Sequence, residues 1–560
     1  MSYGETPPGL ASQILNFVKL LLRAALRVPR YQRPYTWTEL EVRKLIQDLW
    51  RAYQRNATYY FIGQIVLVRN ERRGEYEISD GQQRLATMTM IIAYVRDRIP
   101  SRAQHYQHLI MENDVPRLAL RAADASFYRG YVQEPNQFGK MARLEETGND
   151  SRDLMCAAAD TIEDELARLS NDELDKFLSY VLRCATFNVM DADERGAAAS
   201  IYNAMNDTGQ DLSAADNIKC DLLENSGLSD AEADAAAAKW EELEIILGRD
   251  EFAALINMMP FLLTGASLLS PGDLGAFRSK VDETGGVRAF LLDKLPRYGE
   301  ALRDILRADV KLGDASDDVN RRIRILLQLG EQRWRPAALV YLAEHSGDPE
   351  QAKKFFRALE RFTFGCELAV IDNTVREDRF SLAMQQACSE SVYQEGGALD
   401  LEEPERLAFI ERLNRSSKTD RQRRMLLLRV EAALPGGKVL PRRSDVTVEH
   451  VLPAGNAPWW NERFPSGRMR QDYANLLGNL ILITRRQNVK ADNKPYPEKR
   501  KIYFGTQGAP VHAITRSIER VEDWNIDVIE RRHERMVHLL CADWDIVGED
   551  DEQPQALTSR

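Results

Sequence analysis

Little in this chain suits disulfides, paired-thiolate zinc or membrane crossing. Its six cysteines in 560 residues, Cys156, Cys184, Cys220, Cys366, Cys388 and Cys541, include no Cys-x-x-Cys pair. That spacing argues against a zinc site and a disulfide framework, and a reducing cytoplasm is the expected compartment. No window approaches the ~18 apolar residues that span a bilayer. Residues 1–9 lack a basic n-region, and the apolar stretch 14–26 is interrupted by Asn16, Lys19 and Arg23. It is expected to be an amphipathic helix rather than a signal peptide. There is no internal repeat, and Ala-rich 231–238 reads as helix, not as a low-complexity tail.

What is present is a large apolar fraction and an uneven charge. Length predicts about three to four domains, and 44% hydrophobic content is ample for sizeable cores. The net charge is −11, yet residues 440–503 hold twelve Lys or Arg against six Asp or Glu, so this segment carries +6 and the remainder −17. A basic island in an acidic chain is an electrostatic footprint for a polyanion. It should bind DNA locally and with salt-sensitive affinity.

Within that island Glu449-His450-Val451-Leu452-Pro453 is followed by Gly478-Asn479-Leu480 and Arg486-Gln487-Asn488. Hydrolysing a phosphodiester needs a base for water, an amide or carbonyl to hold that base in one tautomer, and a hard cation at the phosphate. His450 suits the base and Asn479 the orienting group, while Glu449 and Asn488 supply the oxygens that Mg²⁺ prefers. Residues 446–448 and 480–484 read as strands, with Asn479 and Asn488 flanking the second. A histidine beside a strand is also a common structural residue, and Asn after Gly a common turn residue.

A second constellation lies near the amino terminus. Residues 59–68 read as a strand, 69–74 as a charged hairpin turn and 75–79 as the returning strand. Asp80-Gly81-Gln82-Gln83-Arg84 follows, and then Leu85, Met88, Ile91, Ile92 and Val95 recur at helical spacing. Such a strand, glycine turn and helix start favours phosphate. Gly81 permits the turn, Gln82 and Gln83 can hydrogen-bond a base or phosphate, and Arg84 can clamp oxygens bidentately. Upstream, residues 28–37 should form an ordered loop, before a helix from about 39 to 53 with Leu45 and Leu49 buried and Arg43, Lys44 and Asp48 outward. Asp-Gly is an ordinary tight turn in its own right.

These motifs resemble a known family. Glu-His-Val-Leu-Pro, Leu-Gly-Asn-Leu-Ile-Leu-Ile and Asn488 with the lysines from Lys494 to Lys499 look like the HNH-type (His-Me finger) nuclease domain of the GmrSD modification-dependent restriction endonucleases. Tyr31-Gln32-Arg33-Pro34-Tyr35 with Asp80 to Arg84 resembles the ParB/sulfiredoxin-like domain that forms their other half. The stretch from Asn206 through Gly209 and Leu212-Ser213 to Asp216 and Lys219 looks like the family's Asn-x-x-Gly-x-x-Leu-Ser element, although it reads equally as a helix C-cap followed by an N-cap.

The resemblance implies His450 as general base, Asn479 as its partner, Glu449 and Asn488 as ligands of Mg²⁺ or Mn²⁺, and Lys499 at a phosphate beside Arg485, Arg486, Lys490 and Lys494; Lys499 also lies in a basic run that reads as a solvated face. It implies nucleoside triphosphate bound at Gln32, Arg33, Asp80, Gly81, Gln82, Gln83, Arg84, Asn206 and Lys219. The implied protein is a type IV restriction enzyme acting on modified phage DNA. A nuclease that attacks DNA lacking the host's modification is a second reading, and a nucleotide-switched DNA-binding regulator with a vestigial nuclease site a third.

The fold class expected is multidomain α+β: a ParB-like α+β domain over 1–230, a helical middle over 231–400, a mostly helical domain carrying a ββα-metal (HNH-type) motif over 401–545, and an acidic disordered tail over 546–560. Helices are expected over 150–185, 230–265, 318–345 and 350–365, with a break at Ser270-Pro271-Gly272. Another, from about Asp420, should stop at Leu434-Pro435-Gly436-Gly437, the best linker. A closing helical region over 518–540 should bury Trp524, Ile526, Ile529, Met536 and Leu539, and Trp459-Trp460 are expected in a core more than in a base pocket. The choice of modification, the nucleotide and the oligomeric state, a homo-oligomer included, stay open.

Overall fold

The computed structural model describes residues 10–70, 74–192, 214–224, 227–265, 273–345, 348–368, 370–415, 419–440, 446–455, 457–505 and 511–546. Asn206 with its motif, the break at 270–272, Arg442, Arg443 and the acidic run 549–552 lie outside these residues. The chain is mixed α and β, mostly helical, and divides into two compact units, Met1–Gly299 and Glu300–Arg560. The expected helical middle contributes to both. No helix among the described residues is long and apolar enough to cross a membrane.

The amino-terminal unit is built on one mixed sheet. Its strands are β1 (Leu10–Asn16), β2 (Leu26–Arg27), β3 (Tyr60–Asn70), β4 (Glu75–Asp80), β7 (Leu118–Ala119) and β8 (Ala185–Ala192); a separate hairpin pairs β5 (Met111–Glu112) with β6 (Val115–Pro116). The sheet order is β1-β8-β3-β4-β2-β7, with β3 and β4 antiparallel as the sequence predicts and β3 parallel to β8. Ile65, Leu67, Ile78, Phe187 and Val189 put their side chains into one core, fully buried. Alternation explains the first half of β8, where Ala185, Phe187 and Val189 are buried, while Ala192 at its end is buried in a separate cluster with Val66 and Val68.

The stretch 14–26 differs from the expected single helix. Residues up to Asn16 pair along their length with β8, and only α1 (Phe17–Arg23) is helical. Asn16 causes the switch, since its side chain accepts from Lys19 N at 3.0 Å and caps the helix.

Helix α2 (Glu39–Gln54) starts at a Thr38–Glu41 capping box and buries Leu45 and Leu49. Helix α3 (Gln82–Arg98) starts directly at Gly81, whose φ is +95°. A Cβ there would come within 2.2 Å of Ile65 Cδ1, so only glycine allows the strand to turn into the helix. The sequence predicts one apolar stripe on α3, but Met90 and Ala93 are as buried as Ile91 and Val95. The helix runs through the centre of the core, packed against α4 (Asp150–Leu166) and α5 (Asn171–Cys184). Beyond them, Ser229 caps α6 (Asp230–Leu247), followed by α7 (Arg249–Thr264).

The second unit is helical around a two-stranded sheet. Helices α8 (Ser316–Leu326), α9 (Pro349–Glu367), α10 (Asp420–Ala433) and α13 (Ile526–Trp544) are tied together by buried charges. Glu360 accepts from Arg322 Nη1 at 2.6 Å and Arg429 Nε at 2.5 Å, and Asp543 pairs with both arginines. Removing one member would strand the others in low dielectric, so the network specifies how these helices meet. Helix α10 ends at Leu434, as its proline and glycines predict, and the chain on both sides of that break lies in this unit.

From there β9 (Val446–His450) pairs antiparallel with β10 (Leu480–Thr484), and α11 (Arg485–Ala491) and α12 (Tyr496–Gly505) follow. Trp460, Trp524, Tyr496, Ile481 and Ile483 form the local core, and Trp460 donates to Lys494 O, a packing role and not an open base pocket. On α13, Ile529 and Met536 are buried as expected, while Leu540 rather than Leu539 takes the full core position and Ile526 is partly buried.

Candidate active site

His450 closes β9, with Leu480 of β10 directly across. Its partly buried ring places Nε2 3.3 Å from Asn475 Oδ1. With the amide oxygen facing the ring, Nε2 carries the proton and Nδ1 keeps the lone pair. Burial pulls its pKa below the usual 6.5; the Asn475 bond and Asp420 oppose this, and the charges of Arg423 and Lys499 add to it. A neutral imidazole with one bare nitrogen is the form a proton acceptor needs.

Asn479 is fully buried and does not meet the ring. Its Oδ1 accepts from Leu452 N at 2.7 Å and Trp524 Nε1 at 3.1 Å, and its Nδ2 donates to Leu452 O and Ala474 O, both at 2.9 Å. It therefore fixes the main chain just past His450. The imidazole partner is Asn475, four residues earlier, which the sequence reading passed over; a second asparagine before Gly478-Asn479 was the available signal.

Glu449 and Lys499 were expected at a metal and a phosphate, and the structure pairs them with each other. Glu449 is 4% exposed and Lys499 1%. Lys499 Nζ donates to Glu449 Oε1 at 2.7 Å and to His450 O at 2.8 Å, and Tyr503 OH donates to the same Oε1 at 2.7 Å. Lys499 and Tyr503 lie one turn apart on α12, so both reach the carboxylate from one helix face. Burial raises the Glu449 pKa and lowers that of Lys499, and their attraction opposes both shifts. An ammonium so enclosed braces the end of β9 rather than meeting DNA.

Asn488, on α11, donates from Nδ2 to Val448 O at 2.9 Å and Thr447 Oγ1 at 3.3 Å, which leaves Oδ1 as its acceptor. Among the described residues no group of three or more His, Cys, Asp or Glu is arranged for a metal ion. Of the two expected oxygen ligands Asn488 fits that part and Glu449, already holding an ammonium, does not. Arg485, Arg486 and Lys490 stand exposed along α11, with Lys494 exposed just beyond.

In the amino-terminal unit the structure brings Gln32, Arg33 and Asp80 to Arg84 together, but it uses the amides as struts. Gln32 donates to Ser79 O at 2.8 Å, and Gln82 to Arg33 O at 3.1 Å. Gln83 donates to Pro34 O at 2.8 Å and accepts from Thr36 N at 2.9 Å. These bonds pin the 28–37 loop to α3 and explain its order. Gln82 and Gln83 are 7% and 5% exposed, so neither presents its amide to a ligand in this conformation.

Partly exposed Arg84 lies 3.9 Å from Asp80 and donates from Nη1 to Gln64 O at 3.3 Å, with Arg33 close enough for its charge to reach that carboxyl; burial raises the Asp80 pKa and the two arginines oppose it. Lys219 lies in a buried cluster, its Nζ 3.4 Å from Glu241, which is also 3.5 Å from Arg121. Burial lowers its pKa. A cleft of about 730 Å³ opens beside Arg121, between the 34–36 loop and the start of α7. Its acidic lining, Asp150, Asp153, Glu244, Asp250 and Glu251 against Arg121 and Arg249, repels phosphate.

Comparison with known proteins bears on both units. Residues 12–223 match the family model described as GmrSD restriction endonuclease, N-terminal domain, and residues 402–539 match the one described as GmrSD restriction endonucleases, C-terminal domain. No curated protein matches the chain.

Proposed function

We propose, for a chain that belongs to the GmrSD family of restriction endonucleases and so acts on DNA, that cleavage takes place at His450, depends on the modification state of the DNA and is regulated by nucleoside triphosphate. The observation that carries this reading is a neutral, partly buried His450 whose Nε2 is held by Asn475, on a strand whose antiparallel partner leads into a helix with three exposed cations. Nδ1 of His450 takes the proton from water. Asn475 holds the ring, Asn479 holds the chain on one side of it, and the Lys499–Glu449 pair holds the other. Arg485, Arg486, Lys490 and Lys494 meet phosphates along the strand.

Mg²⁺ or Mn²⁺ bound at Asn488 Oδ1 would supply neutralising charge at the phosphate, with most of its remaining coordination from water and substrate. The triphosphate binds at Arg33 and Arg84, where cations and the start of α3 converge. Cysteines that form no disulfide among the described residues suit a reducing cytoplasm.

The regulator with a vestigial site is favoured by one observation, the Glu449 carboxylate locked by Lys499 and closed to a metal. Cleavage of modified and plain DNAs, with Mg²⁺ and with no nucleotide, each triphosphate or the diphosphate, separates the readings. Nucleotide-dependent cutting of one DNA class supports the nuclease; binding without cutting of any DNA supports the regulator.

A further inference from the structure

Arg532, on α13, is a cation held by main-chain carbonyls and one hydroxyl, its Nε donating to Ser517 Oγ at 3.4 Å. Its Nη1 donates to Gly478 O at 2.5 Å, Leu480 O at 2.8 Å and Leu477 O at 3.5 Å, and its Nη2 to Ile514 O at 3.0 Å. Among the described residues it forms no ion pair, and burial pushes its pKa down to about 9. A guanidinium taken from water without a counter-charge is costly, and its fan of donors matches several carbonyls at once where an ammonium cannot.

Three of the four carbonyls it gathers, those of Leu477, Gly478 and Leu480, belong to the turn 477–480. That turn carries Asn479, whose amide fixes Leu452, and it ends at Leu480, the cross-strand partner of His450. Upstream it continues from Asn475, which holds the imidazole. Gly478 shows how closely α13 is seated on the turn. A Cβ there would lie 2.0 Å from Ile529 O and 2.6 Å from His533 N, both main-chain atoms of α13.

We propose that Arg532 is a positioning residue of the nuclease site, clamping the 477–480 turn so that Asn475 and Asn479 hold His450 in its working geometry. The proposal rests on His450 being the base. It places the carboxy-terminal helix, remote in sequence from the motif, within the machinery that aligns the reacting groups. Displacement of a base by about 1 Å costs on the order of 10²-fold in rate, and phosphate contacts made elsewhere are untouched.

The test compares wild type with Arg532→Ala and Arg532→Lys in the full chain, each checked for folding by circular dichroism. Arg532→Ala should cut about 10²-fold more slowly with unchanged DNA affinity, so the loss falls on kcat and not KM. Millimolar guanidinium should restore part of the rate by refilling the site, where equal sodium chloride does not; a residue that served only global stability would leave kcat of the folded variant at the wild-type value, with nothing to rescue. Should Arg532→Ala fail to fold, Arg532→Lys decides, with an intermediate kcat and wild-type affinity expected. A folded Lys or Ala variant with wild-type kcat, a loss that tracks DNA affinity, or absence of guanidinium rescue in a folded Ala variant overturns the proposal. A His450→Ala chain that cuts as wild type overturns instead the reading of His450 and leaves the clamp without its premise.

Discussion

Replacing Lys499 by methionine removes the ammonium from a carboxylate that has nowhere else to go. Glu449 is 4% exposed and keeps only the Tyr503 hydroxyl as a donor. Breaking a buried pair from one side costs about 3–5 kcal/mol, and the surviving tyrosine bond places Lys499→Met near the lower end. Glu449→Gln should be destabilising too, and the double variant should fall short of the sum of the singles by about 0.5–3 kcal/mol, because each single leaves the other charge stranded. The transition is followed in urea by tryptophan fluorescence, to which Trp460 and Trp524 of the same core contribute.

The pH dependence has a definite sign. Without Lys499 the folded-state pKa of Glu449 lies further above its unfolded value, so the folded state binds the extra proton and gains stability as pH falls through that pKa. The deficit of Lys499→Met should therefore shrink from about pH 8 to about pH 5. DNA binding supplies a second readout. Lys499→Met should leave the salt dependence of affinity unchanged, whereas Lys490→Met, on the exposed face of α11, should lower the slope by about 1. A Lys499→Met chain within about 0.5 kcal/mol of wild type, or one with a reduced salt slope, refutes the assignment of Lys499 as an internal brace.

The cleavage rate at saturating metal should lose its basic form below the usual histidine range, because burial lowers the His450 pKa; the rate should be flat near pH 7, and an acid limb centred above 6.5 would contradict this. Gly478→Ala should destabilise the second unit by about 1–3 kcal/mol or more by driving α13 off the turn, measured as a lowered Tm, and an unchanged Tm would show that the seating is looser than described. Arg84→Ala should abolish triphosphate hydrolysis in a chain that still folds, since its side chain is partly exposed and its loss gives up one bond to Gln64 O; wild-type hydrolysis in the folded variant would move the nucleotide elsewhere.

Local patterns made much of the fold legible. The β3–β4 hairpin, the Gly81 turn into α3, the capped start of α6 and the stop of α10 at Pro435 each follow from a few adjacent residues. Strands β1 and β8 did not, because they define each other by pairing across the sheet, and neither carries a periodic signal strong enough alone. At the candidate site the residue types were legible and their partners were not. The motifs present Glu449, Lys499 and Asn479 as a metal ligand, a phosphate contact and the partner of His450, but the fold turns all three inward, and burial is a tertiary property that no motif states. Tyr503 and Arg532 were missed for the matching reason, since each acts on the motif from a segment whose approach only the packing of α12 and α13 determines, whereas Asn475 stood close enough to Asn479 to have been read. Gln82 and Gln83 show the same inversion, their amides drawn into the loop that the sequence placed beside them.

The most direct test of the account is DNA cleavage by His450→Ala in Mg²⁺, measured together with DNA affinity. Loss of a general base predicts a fall of about 10²–10⁴-fold in rate, with affinity preserved by Arg485, Arg486, Lys490 and Lys494. A folded His450→Ala chain that binds DNA and cuts at the wild-type rate would contradict the account at its centre.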